Sequence, residues 1–345
     1  MHIPENYLSP STCAVMGAVM VPVWRMTVQK MKMEISKEKM PLVGIGAAFV
    51  FLGMMFNVPL PGGTTGHAVG GTLLAILLGP YAACLAVSIA LLIQAVLFGD
   101  GGILAFGANA FNMAFVLPFV GYGIYSRLKI RFSSQRGEYI AAAIGAYVAI
   151  NVAALCAAIE LGIQPLLFTD AAGQALYCPY PLNITIPAML IGHLTLFGLA
   201  EVFFTTAVLA YIHRTSPELL ANSQHYAWRR STGKALYGLI GMLICLTPLG
   251  LLAEGTAWGE WNPSELAQLT EGGNVLGYTP AGFTGGFSFN AFFPDYSIGV
   301  LPEASGYVLS AVIGTALVII IFKVASSFMK DRFNRPPLSR NANVR

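Results

Sequence analysis

The chain opens Met1-His2-Ile3-Pro4, and its first two residues hold three nitrogen donors in chelating order. A free amine, the amide nitrogen of His2 and the His2 imidazole Nδ1 can close a five-membered and a six-membered ring on one metal ion. Three of four in-plane positions are then filled. A second imidazole, from His67, would complete a four-nitrogen plane, and tetragonal nitrogen sites favour Ni(II) or Cu(II) over Zn(II) or Ca(II). Deprotonating a backbone amide needs a strongly binding metal, which points the same way. His2 alone carries little weight, because any chain can place histidine after its initiator methionine. His67 reads equally as a capping or hydrogen-bonding group near a helix start, so spacing and composition leave both readings open.

Those residues need a scaffold, and the composition says what kind. The chain is 56% hydrophobic and only 10% charged, against about 25% charged in ordinary soluble domains. All nineteen Lys and Arg residues fall into four clusters, Arg25–Lys39, Arg127–Arg136, Arg214–Lys234 and Lys323–Arg345. Cytoplasmic loops carry the excess of Lys and Arg, so the four clusters are expected inside. Apolar runs, measured against the roughly 20 residues that span the hydrocarbon, predict helices near 8–24, 41–56, 67–80, 82–98, 107–125, 139–162, 187–212, 236–252 and 306–328. The expected fold is an all-α integral membrane protein of about nine transmembrane helices, N-terminus outside and C-terminus cytoplasmic.

The loops placed outside, at 57–66, 99–106, 163–186 and 253–305, hold no Lys or Arg but several acids, among them Asp100, Asp170, Glu254, Glu260, Glu265, Glu271, Asp295 and Glu303. The exterior therefore attracts cations. No cleavable leader pattern is visible, so the first helix is expected to stay and carry the free amine outward. Glycine and proline crowd Pro59-Leu60-Pro61-Gly62-Gly63 just before Thr64-Thr65-Gly66-His67. Irregular backbone at membrane depth survives only where protein or water covers it, which predicts that this segment folds inward.

Other chemistry is weaker. His193 and Glu201 share a predicted helix, and ionisable groups within a membrane are functional candidates by default. They are eight residues apart, about 12 Å of rise and roughly 80° around the axis, so they cannot grip one ion; interhelical hydrogen bonding is the expected role of each. An intramembrane zinc hydrolase built on them lacks HExxH or a comparable ligand pair. Cys13, Cys84, Cys156, Cys178 and Cys245 form no CxxC and read as packing residues. The thirteen methionines scatter, and His213 and His225 lie in the third basic cluster. No GxxxxGK[ST] loop occurs, since Ser231-Thr232-Gly233-Lys234-Ala235 lacks the earlier glycine and the following hydroxyl. Any ATP must be spent by another chain, and no nucleic-acid partner is expected.

Three motifs in order carry a resemblance: Met1 to Pro10 as MHIPENYLSP, Leu60 to Gly71 as LPGGTTGHAVGG, and Phe98-Gly99-Asp100-Gly101-Gly102 followed by Gly107-Ala108-Asn109-Ala110-Phe111-Asn112-Met113-Ala114-Phe115. Over residues 1 to about 212 the chain resembles the CbiM/NikM family, the substrate-specific subunits of energy-coupling-factor transporters for cobalt and nickel. The resemblance implies that Met1, His2 and His67 hold the ion as substrate, with no permanently bound cofactor. It also implies a transmembrane coupling protein and a pair of cytoplasmic ATPases as partners. The first helix would meet the coupling protein through small residues, and Ala14 and Ala18 fit that spacing. Asn109 and Asn112 are the candidates for a supporting shell.

Residues 213–235 read as a cytoplasmic linker, 236–330 as a helix pair around a long acidic outer loop, and 331–345 as a disordered tail. The stretch Thr247 to Trp261 resembles the fused accessory subunit of some members, so a separate small subunit is expected only if this unit does not supply that part. A metal-loading role and a packing role for it stand level. Nickel and cobalt both accept four nitrogens, and the residues do not choose between them. A stand-alone channel or secondary carrier is the rival function, disfavoured by the family resemblance alone.

Overall fold

Ser9 starts the first helix: its hydroxyl accepts from the Thr12 amide at 3.1 Å, and Pro10 sits where a missing N–H costs nothing. In this computed structural model, which describes residues 1–60, 64–132, 134–220, 230–253, 256–268, 270–271 and 274–329, α1 runs Pro10–Glu34. It therefore extends beyond the expected 8–24 into the first basic cluster. Met40–Met54 is α2. The irregular segment expected at 57–66 holds two short strands, β1 (Val58–Leu60) and β2 (Thr64–Gly66), paired antiparallel with Val58 opposite Gly66, and the helix expected at 67–80 starts late. Only then comes the eight-residue α3, Gly71–Leu78. The reason is local: Gly70 takes φ +79°, a left-handed turn that glycine alone adopts without penalty.

Gly79, at φ +85°, ends α3, and Pro80 begins α4 (Pro80–Ile93), which continues through a π turn to Phe98. After a loop, α5 (Phe106–Asn109) passes through a π turn, Ala110–Val116, into α6 (Leu117–Arg131). Next come α7 (Gln135–Gly162) and the short α8 (Gln164–Leu167). Alanine and glycine line the buried side of α7, and Gly145 lies so close to the Gly121 carbonyl that a side chain there would collide with α6. Small residues let membrane helices approach in this way. The helix expected near 187–212 is α9 (Leu182–Gly192) and α10 (Gly198–Thr215), joined through a π turn at His193–Phe197 where Thr195 leaves helical geometry.

The last unit holds α11 (Arg230–Leu246), α12 (Pro263–Gln268), a two-stranded pair β3 (Thr270–Glu271) and β4 (Asn274–Val275), α13 (Ala281–Gly285) and α14 (Glu303–Ser327). Both α11 and α14 pack on α2, with Gly44 against Phe322 and Gly314 against the Phe51 ring. The described residues of the segment between them lie over one end of the bundle. Six helices among the described residues are long and apolar enough to cross a membrane, including α1 and α14, and α2 is a shorter apolar helix. His225 and the tail 331–345 lie outside the described residues.

Candidate metal centre

Before α1 the chain is neither helix nor strand, yet Met1, His2 and Ile3 are buried. Hydrogen bonds from α5, the 102–104 loop and α8 hold this segment. The Asn109 amide clamps Ile3 on both sides: its Oδ1 accepts from the Ile3 N–H at 2.8 Å and its Nδ2 donates to the Ile3 carbonyl at 3.0 Å. Gly102 N–H donates to the same carbonyl at 2.9 Å. The Glu5 carboxylate accepts from the Ile103 N–H and, at 3.1 Å, from the Leu104 N–H. Ser9 N–H reaches the Gln164 side chain at 3.0 Å. Gly101, at φ +87°, has His2 and Asn109 at its Cα, so the 99–102 turn needs glycine there to close over the terminus.

His67 arrives from the other side, directly after β2. Its Nδ1 faces the Ala68 carbonyl at 3.2 Å, and its Nε2 lies 3.1 Å from His2 Nδ1. A proton on Nδ1, assigned from the carbonyl it meets, leaves the Nε2 lone pair aimed at His2. The rings stand 4.9 Å apart at 40°. Burial, reinforced by the nearby terminal ammonium, holds His2 down at about 3 and His67 well below its ordinary value. Both imidazoles are therefore neutral near pH 7, the form that ligates metal.

Around this pair stand groups that the motifs did not single out. His2 Nδ1 is also 3.1 Å from Asp100 Oδ1. Asp100 Oδ2 accepts from the Tyr296 hydroxyl at 2.6 Å and from the Gln94 side chain at 3.3 Å. The Met1 amine lies 3.6 Å from Glu260 Oε1. Asp295 and Tyr296 are consecutive non-glycine residues at positive φ, an uncommon conformation that turns the Tyr296 ring in toward Asp100. Tyr7 donates to the Trp261 carbonyl at 2.8 Å, Asn6 to the Phe287 carbonyl at 2.9 Å, and the Trp258 N–H to Thr64 at 2.8 Å. The segment of the C-terminal unit between α11 and α14 thus lies directly on the N-terminal one. Asp100 and Glu260 are among the acids of the loops that hold no Lys or Arg, and Asp100 also stands between two glycines; nothing in the local sequence marks Tyr296.

Met1, His2, His67 and Asn109 come together, whereas Asn112 does not join them. Its side chain donates to Glu160 at 2.7 Å inside the bundle, because the π turn directs it toward α7. Ala14 and Ala18 are exposed on α1, next to Val15 and Val21 at 60% and 61% exposure. His193 and Glu201 do not face each other. Glu201 bonds the loop ahead of α3, as an interhelical role requires, but His193 bonds the Met189 carbonyl of its own helix at 2.7 Å. Among the described residues no three His, Cys, Asp or Glu side chains are set to hold a metal; two imidazoles meet beside a chain terminus instead.

These observations define a multi-pass membrane protein whose polar centre lies at one end of a helix bundle. Residues 2–219 match the model of CbiM, the cobalt uptake substrate-specific transmembrane region, and residues 232–331 match the PDGLE domain. The chain belongs to the CbiM family, a family of metal transport proteins and not of enzymes. It is 51% identical over 325 residues to a probable fused nickel transport protein LarMN of Lactiplantibacillus plantarum, covering 94% of this chain and 97% of that one. It is 47% identical to the fused nickel transport protein NikMN of Rhodobacter capsulatus, covering 92% and 95%. A crystal structure of a truncated transition metal transporter superposes with a TM-score of 0.59 at 57% identity, covering 62% of this chain and 99% of that one.

Proposed function

We propose that this chain is the substrate-binding membrane subunit of an ATP-driven importer for nickel or cobalt ions. The ion is bound by the Met1 amine, the His2 backbone nitrogen and imidazole, and the His67 imidazole. The observation that carries the reading is the 3.1 Å between His67 Nε2 and His2 Nδ1. Metal–imidazole bonds of about 2.0–2.1 Å put adjacent nitrogens of a square plane about 2.9 Å apart. The two rings are therefore spaced as neighbouring ligands, and the proton between them sits where the ion would displace it. Asp100 and Glu260 lie beside the donors and offset the charge of a divalent cation.

In this reading the chain crosses the membrane nine times, with the N-terminus and the metal centre outside and the C-terminus in the cytoplasm. Residues 1–212 form the metal-binding unit, 213–235 link, and 236–330 supply the part of a small accessory subunit. The fused nickel transport relatives support the choice of cargo, and the exposed Ala14 and Ala18 face of α1 suits the helix of a coupling protein that relays work from a pair of ATPases.

Titration of the purified full-length protein with Ni(II) and with Co(II) tests the site. His2→Ala and His67→Ala are each expected to lower affinity at least a hundredfold; unchanged affinity in either variant refutes the four-nitrogen plane. Uptake in cells with and without the coupling protein tests the energy source, since undiminished uptake without it establishes a stand-alone carrier.

A further inference from the structure

We propose that Glu201 is a positioning residue for His67, acting from α10 through the two backbone N–H groups that close the His67 loop; the proposal rests on the reading of His67 as a ligand. Glu201 is fully buried. Its Oε2 accepts from the Val69 N–H at 2.7 Å and the Gly70 N–H at 3.0 Å, and its Oε1 meets the same Gly70 N–H at 3.1 Å. Gly70 is the N-cap of α3 and has no side chain to cap the helix itself. The cap is supplied from another helix.

Glu201 does not act alone. The Phe197 ring lies against Gly66 so closely that any Cβ there would collide, and the Phe204 ring lies against Gly70. Residues 197, 201 and 204 are spaced four and three apart and share one helix face. That face meets the loop at Gly66, Val69 and Gly70, on both sides of His67. The aromatic rings set how deep the loop sits, and the carboxylate fixes its rotation. His67 Nδ1 already meets the Ala68 carbonyl, so the peptide orientation fixed at Val69 and Gly70 carries directly to the imidazole.

A carboxylate at this depth is costly, and helix packing alone would not require it. Charge-assisted bonds from N–H groups are about twice as strong as neutral ones, and the positive end of α3 adds to them. Without an acceptor, two N–H groups would be orphaned where no lipid can satisfy them. Glutamine at 201 would keep the shape and one accepting oxygen while turning an amide N–H₂ toward the loop.

The test is a cycle in the full-length protein, with Ni(II) as probe. Glu201→Gln in the otherwise native chain is expected to lower affinity about tenfold with little change in thermal midpoint. In a His67→Ala background, read at metal concentrations where the three nitrogens of Met1 and His2 still load, the same substitution is expected to change nothing, because there is no imidazole left to position. Wild-type affinity in Glu201→Gln, or an equal loss in both backgrounds, overturns the proposal. A His67→Ala protein that binds as wild type would instead sink the ligand reading, and this proposal with it.

Discussion

The two imidazoles that meet at the centre are held by opposite means. His2 belongs to an irregular terminal segment tied to Asn109, Gly102, Leu104 and Gln164, and covered by a segment more than 250 residues later through Trp261 and Phe287. His67 belongs to a hairpin exit held from below by one membrane helix through Phe197, Glu201 and Phe204. One half of the site answers to the loops at the end of the bundle and the other to the helix bundle itself.

The comparison is broken most severely at the terminus. One residue added ahead of Met1 moves the amine out of the chelate and forces bulk into a buried end. Nickel affinity is expected to fall at least a hundredfold, measured by titration of protein whose N-terminus has been verified by mass spectrometry. Normal affinity in that protein would remove the amine from the ligand set.

A smaller effect is expected one step out, on the His2 side alone. Asn109→Ala removes both bonds to Ile3, orphaning its buried N–H and leaving its carbonyl to Gly102 alone, at a cost of about 2–3 kcal/mol, or roughly 30- to 150-fold in affinity if the segment loosens fully. Equilibrium titration reads it, and hydrogen exchange should show faster labelling of residues 2–5 with the 66–71 loop unchanged. Equal loosening of both segments would show that the two halves are not independent.

The mildest change tests the cover. Tyr296→Phe deletes one hydrogen bond to Asp100 at the rim of the centre and keeps the ring, which packs on Phe98 at 4.6 Å. About 1 kcal/mol, or roughly fivefold in affinity, is expected, with the dissociation rate of Ni(II) rising more than the association rate falls. A wild-type dissociation rate would reduce the segment between α11 and α14 to packing.

Much of this was legible in the residues. The apolar runs located the long helices, and Gly79-Pro80 marked the break between α3 and α4 because glycine accepts positive φ and proline suits a first helical turn. The crowded glycines and prolines at 59–66 signalled irregular backbone, although not that it would pair as strands, since three-residue strands leave no periodicity to read. Asn109 and Asn112, three apart, read alike as supports for the centre. A π turn sent one to Ile3 and the other to Glu160, and no propensity announces a widened turn.

The sequence by itself determined the chemistry on offer: a histidine behind Met1, a second one after a glycine-rich turn, and apolar helices to bury them among. These follow from side-chain identity and hydropathy, which are local. Only the tertiary structure decided that Glu201 caps α3 from α10, 131 residues away from Gly70, and that Tyr296 and Glu260 reach the centre from the far end of the chain. Such partners are fixed by how helices pack and where a loop lands, and buried polar groups must find them wherever the fold puts them.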